Sequence, residues 1–265
     1  MSVALQTDEP LLLRRDAAGI AWLTMNRPAA RNALSVGLMG ALEAELDTLA
    51  SDASVHVVVI GGAGPAFCAG HDLREIRQNP GREVYAALFE QCSRLMQKIV
   101  RLSKPVIARV HGVATAAGCQ LVASCDLAIA ADTARFATPG VNIGLFCSTP
   151  MVALSRNVGR KAAMEMLLTG ELIDAARATA IGLINRAVPE AELDAAVEAL
   201  AGQIAGKSPL TLAIGKEAFY RQAEMDLDGA YRYAAEVMTR NMMARDAAEG
   251  IDAFLGKRHP VWSGT

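Results

Sequence analysis

The sequence has no apolar run approaching the roughly 20 residues that a membrane-spanning helix requires. Its first residues, Met1-Ser2-Val3-Ala4-Leu5-Gln6-Thr7-Asp8-Glu9, show no basic stretch leading into an apolar one, so a secretory leader is not expected. Aromatic residues make up only 5% of 265 positions, while hydrophobic residues make up 52% with alanine dominant, so tightly packed small-residue helices are expected. The 5 cysteines fall at no paired spacing. That argues against a disulfide framework and a zinc site, and a reducing cytoplasm is the expected compartment. A net charge of -2 invites neither nucleic acid nor an anionic membrane as partner. No G-x-G-x-x-G follows a strand, and neither glycine-rich loop runs into G-K-[ST], so neither loop is a nucleotide motif.

Strand and helix signals alternate along the chain, which predicts an α/β fold. Leu11-Leu12-Leu13 and Ile20 through Met25 read as strands joined at Ala18-Gly19. Ser35 reads as the cap of a helix carrying Leu38, Leu42, Leu46 and Leu49 at helical spacing. Val57-Val58-Val59-Ile60 has the continuous apolar character of a strand buried on both faces. A polar break, Gln78-Asn79-Pro80-Gly81-Arg82, reads as a mobile loop over the site. A helix is expected from Glu83 to Leu102, with Leu88, Cys92, Leu95 and Ile99 on one stripe. Strands are expected at Pro105, Leu127–Ala131 and Phe136. From about Ala153 onward only helices are expected, with breaks at Gly159, Thr169-Gly170, Pro189 and Ser208-Pro209.

Two segments carry the chemistry. The Val57 strand empties into Gly61-Gly62-Ala63-Gly64-Pro65 and then Ala66-Phe67-Cys68-Ala69-Gly70-His71-Asp72-Leu73. The strand at Pro105-Val106-Ile107-Ala108 empties into Gly112-Val113-Ala114-Thr115-Ala116-Ala117-Gly118, a stretch almost without side-chain bulk. Small residues let a ligand approach the backbone closely. A helix starting near Ala117 would leave its first amides without internal partners and oriented to favour negative charge. That geometry can hold a developing oxyanion. The competing reading is that small residues serve only tight packing.

These segments carry a resemblance. Asn26-Arg27-Pro28, Asn32-Ala33-Leu34, the A-F-C-A-G-H-D-L run, K-P-V-I-A-x-V-x-G-x-A and C-D-L-A-I-A are similar to the enoyl-CoA hydratase/isomerase (crotonase) superfamily. The likeness continues through Leu168-Thr169-Gly170, Gly182-Leu183-Ile184 and Ala253-Phe254-Leu255. The A-A-G-C-Q and F-C-S-T-P segments most resemble the branch called enoyl-CoA hydratase domain-containing protein 3. The resemblance implies a spiral of ββα turns (ClpP-like) over residues 1–200. It also implies a C-terminal helical oligomerisation region over 201–265 that forms a homotrimer or hexamer. It implies acyl-CoA metabolism, with CoA as part of the substrate and no separate cofactor or metal.

The family's site residues carry over position by position. Its two backbone oxyanion-hole amides fall on His71 and Ala117, the latter followed by Gly118. Its adenine-contacting loop falls on Phe67, Cys68, Ala69, Gly70, His71, Asp72 and Leu73. Arg27, Ala29 and Arg31 stand where the family meets the CoA chain, and Arg74 where a basic residue approaches the phosphates. Phe254 and Lys257 stand where relatives reach the CoA of a neighbouring subunit. Each basic residue could equally be a solvated surface charge.

The departures are as informative. Hydratases of the family place a Glu pair at the positions occupied here by Gln120 and Gly140. A Gln amide can orient water but cannot transfer a proton at neutral pH, and glycine has no side chain. Losing one acid/base group typically costs about a hundredfold to ten-thousandfold in rate. The expectation is therefore an enolate-stabilising acyl-CoA protein with weak ordinary hydratase activity. The alternatives are decarboxylation or hydrolysis of CoA thioesters, and a non-catalytic acyl-CoA binder. Cys147 could act as a low-pKa group at a helix start or as a small buried hydrophobe, with Ser148 expected as that helix's cap. Asp72 and Asp126 read as structural. His71 and His111 flank the expected oxyanion site, and His71 is the better catalytic candidate because it adjoins the acyl group.

Overall fold

The computed structural model describes residues 9–265, so the reading of Met1 to Asp8 lies outside the described residues. β1 (Leu12–Ala17) and β2 (Ile20–Met25) form an antiparallel hairpin, and α1 (Val36–Ser51) leads to β3 (Val57–Gly62). α2 (Leu73–Gln78) and α3 (Arg82–Arg101) precede β4 (Val106–Val110), β5 (Val113–Thr115) and α4 (Ala117–Ser124). β6 (Leu127–Ala131) and β7 (Arg135–Ala137) follow, then α5 (Ser148–Asn157), α6 (Arg160–Thr169), β8 (Ile173–Asp174), α7 (Ala175–Ala180) and β9 (Arg186–Val188). The chain closes with α8 (Leu193–Ala205), α9 (Pro209–Gln222), α10 (Leu227–Met242) and α11 (Arg245–Leu255).

The main sheet runs β1-β2-β3-β4-β6-β9 and is parallel from β2 onward. Its pleat explains the uninterrupted apolar run of β3. Val58 and Ile60 face the cluster built by α1 and α3, whereas Val57 and Val59 face Leu193, Val197 and Ala201 of α8. Helices therefore cover both faces, the usual state of a parallel sheet. α1 starts where Ser35 accepts a hydrogen bond from Leu38 N (3.1 Å), and it buries Leu38, Met39, Leu42, Leu46 and Leu49. Each of those leucines contributes about 2 kcal/mol of burial. α4 is buried along its whole length, which only its small residues permit. A second sheet, β5-β7-β8, lies beside it.

The expectation of helices alone after Ala153 is corrected by β8 and β9. β9 pairs with β6 as the edge of the main sheet, and Asn185 Oδ1 accepts from Ala128 N at 2.7 Å to fix its entry. Residue 200 falls inside α8, which packs on the sheet, so the helical C-terminal region begins at α9. Lys216 fastens α9 to the core. Its ammonium donates to Ile99 O and Lys104 O, both at 2.9 Å, and to Asp126 Oδ2 at 2.6 Å. Asp126 also accepts from Val106 N (2.7 Å) and Tyr220 OH (2.8 Å), which bears out its structural reading. At the far end, Asp246 collects Ser208 Oγ, Ser263 N, Ser263 Oγ and Gly264 N, which ties the C-terminus to α11. No helix among the described residues is long and apolar enough to cross a membrane.

Candidate active site

Asn32 organises the approach to the site. It is fully buried with a left-handed backbone, φ 53°. Its Oδ1 accepts from Arg27 N (2.9 Å), and its Nδ2 donates to Ala63 O (2.9 Å) and Ala66 O (2.7 Å). One side-chain amide thus joins the N-R-P segment to the loop after β3. Sequence reasoning gave Asn32 no role, although a lone Asn between small residues in a motif is a signal for local backbone bonding.

Beyond Ala66 the loop is stitched to β5. Cys68 N donates to Val113 O (3.1 Å) and Thr115 N donates back to Cys68 O (3.0 Å). The approach is close enough to exclude side chains at two glycines. A Cβ at Gly118 would collide with the Cys68 carbonyl, and one at Gly70 (φ 96°) would stand 2.9 Å from Ala116 Cβ and 3.5 Å from Ala117 N. The two Gly-rich segments of the sequence therefore abut.

Two amides are left over at this junction. Leu34 N donates to Gly70 O (2.7 Å) and Asp72 N to Leu34 O (3.1 Å), which bracket His71 in a parallel bridge. The His71 N–H has no acceptor among the described residues. Ala117 opens α4, and its N–H has none either. Ala116, just before it, takes φ 50° and ψ −117°, a conformation rare for a residue with a Cβ. Such strain costs about 1–3 kcal/mol and is held by its surroundings. Here Ala116 N donates to Ala137 O at 2.9 Å and Ala116 O accepts from Gln120 N at 3.0 Å.

Gln120 lies one turn into α4 and is buried, and its Oε1 is 3.8 Å from the Cys92 Sγ of α3. Gly140 sits in the tight turn Pro139–Ile143. A Cβ there would stand 2.7 Å from Leu145 O and 2.9 Å from Cys147 Sγ. Cys147 Sγ accepts from Gly140 N at 3.3 Å, so the thiol occupies the space into which a side chain at 140 would grow. Cys147, not Ser148, is the residue flanking the start of α5, and Ser148 is the first helical residue with no capping bond. Burial pushes the Cys147 thiol up and outweighs the opposing Gly140 amide, which corrects the low-pKa option for it.

The His71 imidazole is neutral at pH 7 because burial pushes its pKa down. The Leu34 carbonyl beside the ring pulls the other way. Thr138 Oγ1, two positions before Gly140, is buried without a partner among the described residues. Asp72 flanks the start of α2 and accepts from Arg74 N and Glu75 N. Burial alone would raise its carboxyl, but the Arg27 guanidinium at 2.8 Å and those amides hold it low. His111 braces the glycine loop, with Nε2 2.8 Å from Gly64 O and Nδ1 3.1 Å from an Arg109 nitrogen.

The expected CoA-contacting residues separate into two groups. Phe67 and Cys68 are wholly buried, and Arg27 is engaged with Ala33 O and Asp72, so the side chains of these three turn inward. Ala29, Arg31, Leu73, Arg74, Phe254 and Lys257 are exposed, and Ala69 is half-buried. A cleft of about 440 Å³ lined by Arg15, Trp22, Arg109 and Asp194 lies on the α8 side and includes none of the expected site residues.

The enoyl-CoA hydratase/isomerase family model matches residues 15–265. The chain belongs to that family. It is 47% identical over 249 residues to the human mitochondrial enoyl-CoA hydratase domain-containing protein 3, covering 94% of this chain and 82% of that protein. Among solved structures, an enoyl-CoA hydratase from Mycobacterium smegmatis superposes with TM-score 0.94 at 56% identity, covering 96% of this chain and 99% of that one. The human domain-containing protein 3 superposes with TM-score 0.93 at 46% identity, covering 95% and 100%. The fold is thus the crotonase fold expected, in the branch expected. The cytoplasmic expectation is corrected. Relatives from Homo sapiens, Mus musculus, Rattus norvegicus, Xenopus laevis and Danio rerio, 45–47% identical, are all named mitochondrial.

Proposed function

We propose that this enoyl-CoA hydratase/isomerase family member binds acyl-CoA thioesters with the carbonyl oxygen between the amides of His71 and Ala117. One observation carries the reading: two N–H groups without acceptors among the described residues lie at the junction where the loops abut, one of them at the start of a buried helix. Donors fixed before the reaction stabilise the enolate oxygen without reorganising. The strained Ala116 turn supports the aim of the second donor.

The acid/base equipment of a hydratase is missing at both positions. Gln120 can orient a molecule but not transfer a proton, and Gly140 offers nothing. Ordinary hydration is weak on this reading. Reactions that need no protein base remain open, decarboxylation of a malonyl-type thioester foremost: the breaking C–C bond leaves its electron pair in the enolate as carbon dioxide departs, and water then protonates the carbon. The CoA moiety meets the backbone of residues 67–70 and the exposed Ala29, Arg31 and Arg74. The chain self-associates as a homotrimer or hexamer through α9–α11, where Phe254 (83% exposed) and Met243 (83% exposed) stand uncovered. In that assembly Phe254 and Lys257 serve a neighbour's CoA.

The test is calorimetric titration with butyryl-CoA, joined to turnover assays on crotonyl-, malonyl- and 3-hydroxybutyryl-CoA. Binding together with loss of carbon dioxide from malonyl-CoA, or slow hydration, supports the enzyme reading. Binding without turnover of any substrate supports a non-catalytic acyl-CoA binder. Absence of binding overturns the proposal.

A further inference from the structure

The cleft of about 440 Å³ on the α8 side shares no residue with the junction of His71 and Ala117. Its floor is the main sheet. Leu13 stands opposite Thr24 across β1 and β2, Thr24 opposite Gly61 across β2 and β3, and Arg15 opposite Trp22. Gly61 has no reason in the fold to be glycine. Its backbone is not left-handed, and the nearest neighbour of a Cβ there would be Arg109 Cδ at 3.5 Å, an ordinary contact. Gly62 differs, because a Cβ there would strike Phe67 O at 2.6 Å. A glycine inside a strand weakens it and often marks where a ligand comes close to the backbone. The charges of the lining are paired except for two. Arg14 is held by Asp16, Glu45 and Asp52, and Arg109 by Asp194. Arg15 on β1 and Glu198 on α8 have no oppositely charged partner among the described residues. Arg15 lies over the Trp22 ring, 5.2 Å from its centroid. A guanidinium placed on an aromatic face keeps its N–H groups available to a carboxylate. Glu198 follows Asp194 by four residues and so shares its face of α8.

We propose that this cleft binds a small zwitterion of the amino-acid class, with its carboxylate on Arg15, its ammonium on Glu198 and its carbon skeleton over Gly61. The two charges left over are one of each sign, so a ligand carrying a single charge satisfies one and leaves the other. A phosphate would meet Glu198 with its own negative charge, and a diamine would meet Arg15 with its own positive one. Gly61 leaves bare backbone for the skeleton to lie on, and Leu13, 41% exposed, gives it an apolar flank. The Thr24 hydroxyl beside Gly61 offers the ligand one further hydrogen bond. The inference stands apart from the acyl-CoA reading, because the two sites have no side chain in common.

The experiment titrates the protein by calorimetry with glycine, leucine and 5-aminovalerate, which place the two charges at different separations, and with valerate and pentylamine, which carry one charge each. At least one zwitterion is expected to bind about tenfold more tightly than either singly charged compound, the worth of one charge-assisted hydrogen bond. Arg15→Gln and Glu198→Gln are each expected to abolish that advantage, and Gly61→Val, which fills the floor, to weaken binding of the same zwitterion. Butyryl-CoA binding is expected to be unchanged in Arg15→Gln and Glu198→Gln. The protein has 2 tryptophans, Trp22 and Trp262. In unmodified protein labelled with nitrogen-15 tryptophan, the Trp22 indole signal is expected to move with the preferred zwitterion while that of Trp262 stays, a readout that needs no variant to fold. No advantage for any zwitterion in the native protein, an advantage that survives both charge variants, or a Trp22 signal that does not move overturns the assignment. Each of these results leaves the acyl-CoA reading untouched.

Discussion

Cys147 Sγ lies 3.3 Å from Gly140 N and fills the volume a side chain at position 140 would need. The absence of an acid at 140 is thus built into the packing. Replacing glycine by glutamate would not simply restore a carboxylate there. It would first have to displace a thiol and the carbonyl of Leu145, which a Cβ would approach to 2.7 Å.

Gly140→Ala is therefore expected to destabilise the protein by about 1–3 kcal/mol through overpacking. Removing the thiol relieves one of the two clashes and leaves the Leu145 carbonyl in place, so Gly140→Ala combined with Cys147→Ala should be somewhat more stable than the sum of the single effects predicts. Denaturant unfolding of the four proteins measures the coupling. Strict additivity would mean that the two positions do not compete for space.

The thiols bear on reactivity as well. Burial pushes Cys68, Cys92 and Cys119 up to about 12, and it also raises Cys125 and Cys147. Alkylation needs the thiolate. At pH 7.5 the folded protein should react with iodoacetamide much more slowly than the denatured protein, in which all 5 cysteines label readily. Rapid modification of Cys147 in the native state, read by mass spectrometry, would contradict its placement.

Lys216 and Asp126 form a nearly buried pair at 2.6 Å, 90 residues apart in sequence. Lys216→Met removes the cation and leaves Asp126 with a buried negative charge, a change that typically costs about 3–5 kcal/mol. Lys216→Met with Asp126→Asn should regain part of the loss. Equilibrium denaturation gives both values. A single-variant loss below about 1 kcal/mol would place the pair in the exposed class.

For Asp246, burial alone would raise the carboxyl, but the Ser208 and Ser263 hydroxyls and the Ser263 and Gly264 amides hold it at about 2. The unfolded carboxyl sits near 3.9. With the folded value depressed, this stabilisation is fully present above about pH 4 and is lost as pH falls through about 2. The melting temperature of the native protein should exceed that of Asp246→Asn at pH 6, and the gap should narrow below pH 4. A gap that stays constant down to pH 2.5 would mean that Asp246 does not carry the latch.

How much of this was legible in the sequence differs by element. The Ser35 cap and the leucine stripe of α1 declared themselves, because local periodicity decides a long amphipathic helix. The continuous apolar run of β3 correctly announced a strand covered on both faces. β8 and β9, only 2 and 3 residues long, carry no period that could be read, and pairing partners define them. α2 has no counterpart in the sequence reading, because its 6 residues owe their start to Asp72, whose capping role shows only in three dimensions. At the candidate site, the family resemblance pointed to His71, Ala117, Gln120 and Gly140. Two features depend on contacts through space and left no trace in spacing: the thiol that fills the gap beside Gly140 and the unpartnered His71 ring.

The most direct test of the central claim is a crystal structure with a non-reactive acyl-CoA analogue bound. The account predicts its carbonyl oxygen within about 2.7–3.2 Å of both His71 N and Ala117 N. An analogue seated away from that junction, or with its carbonyl turned from both amides, would contradict it.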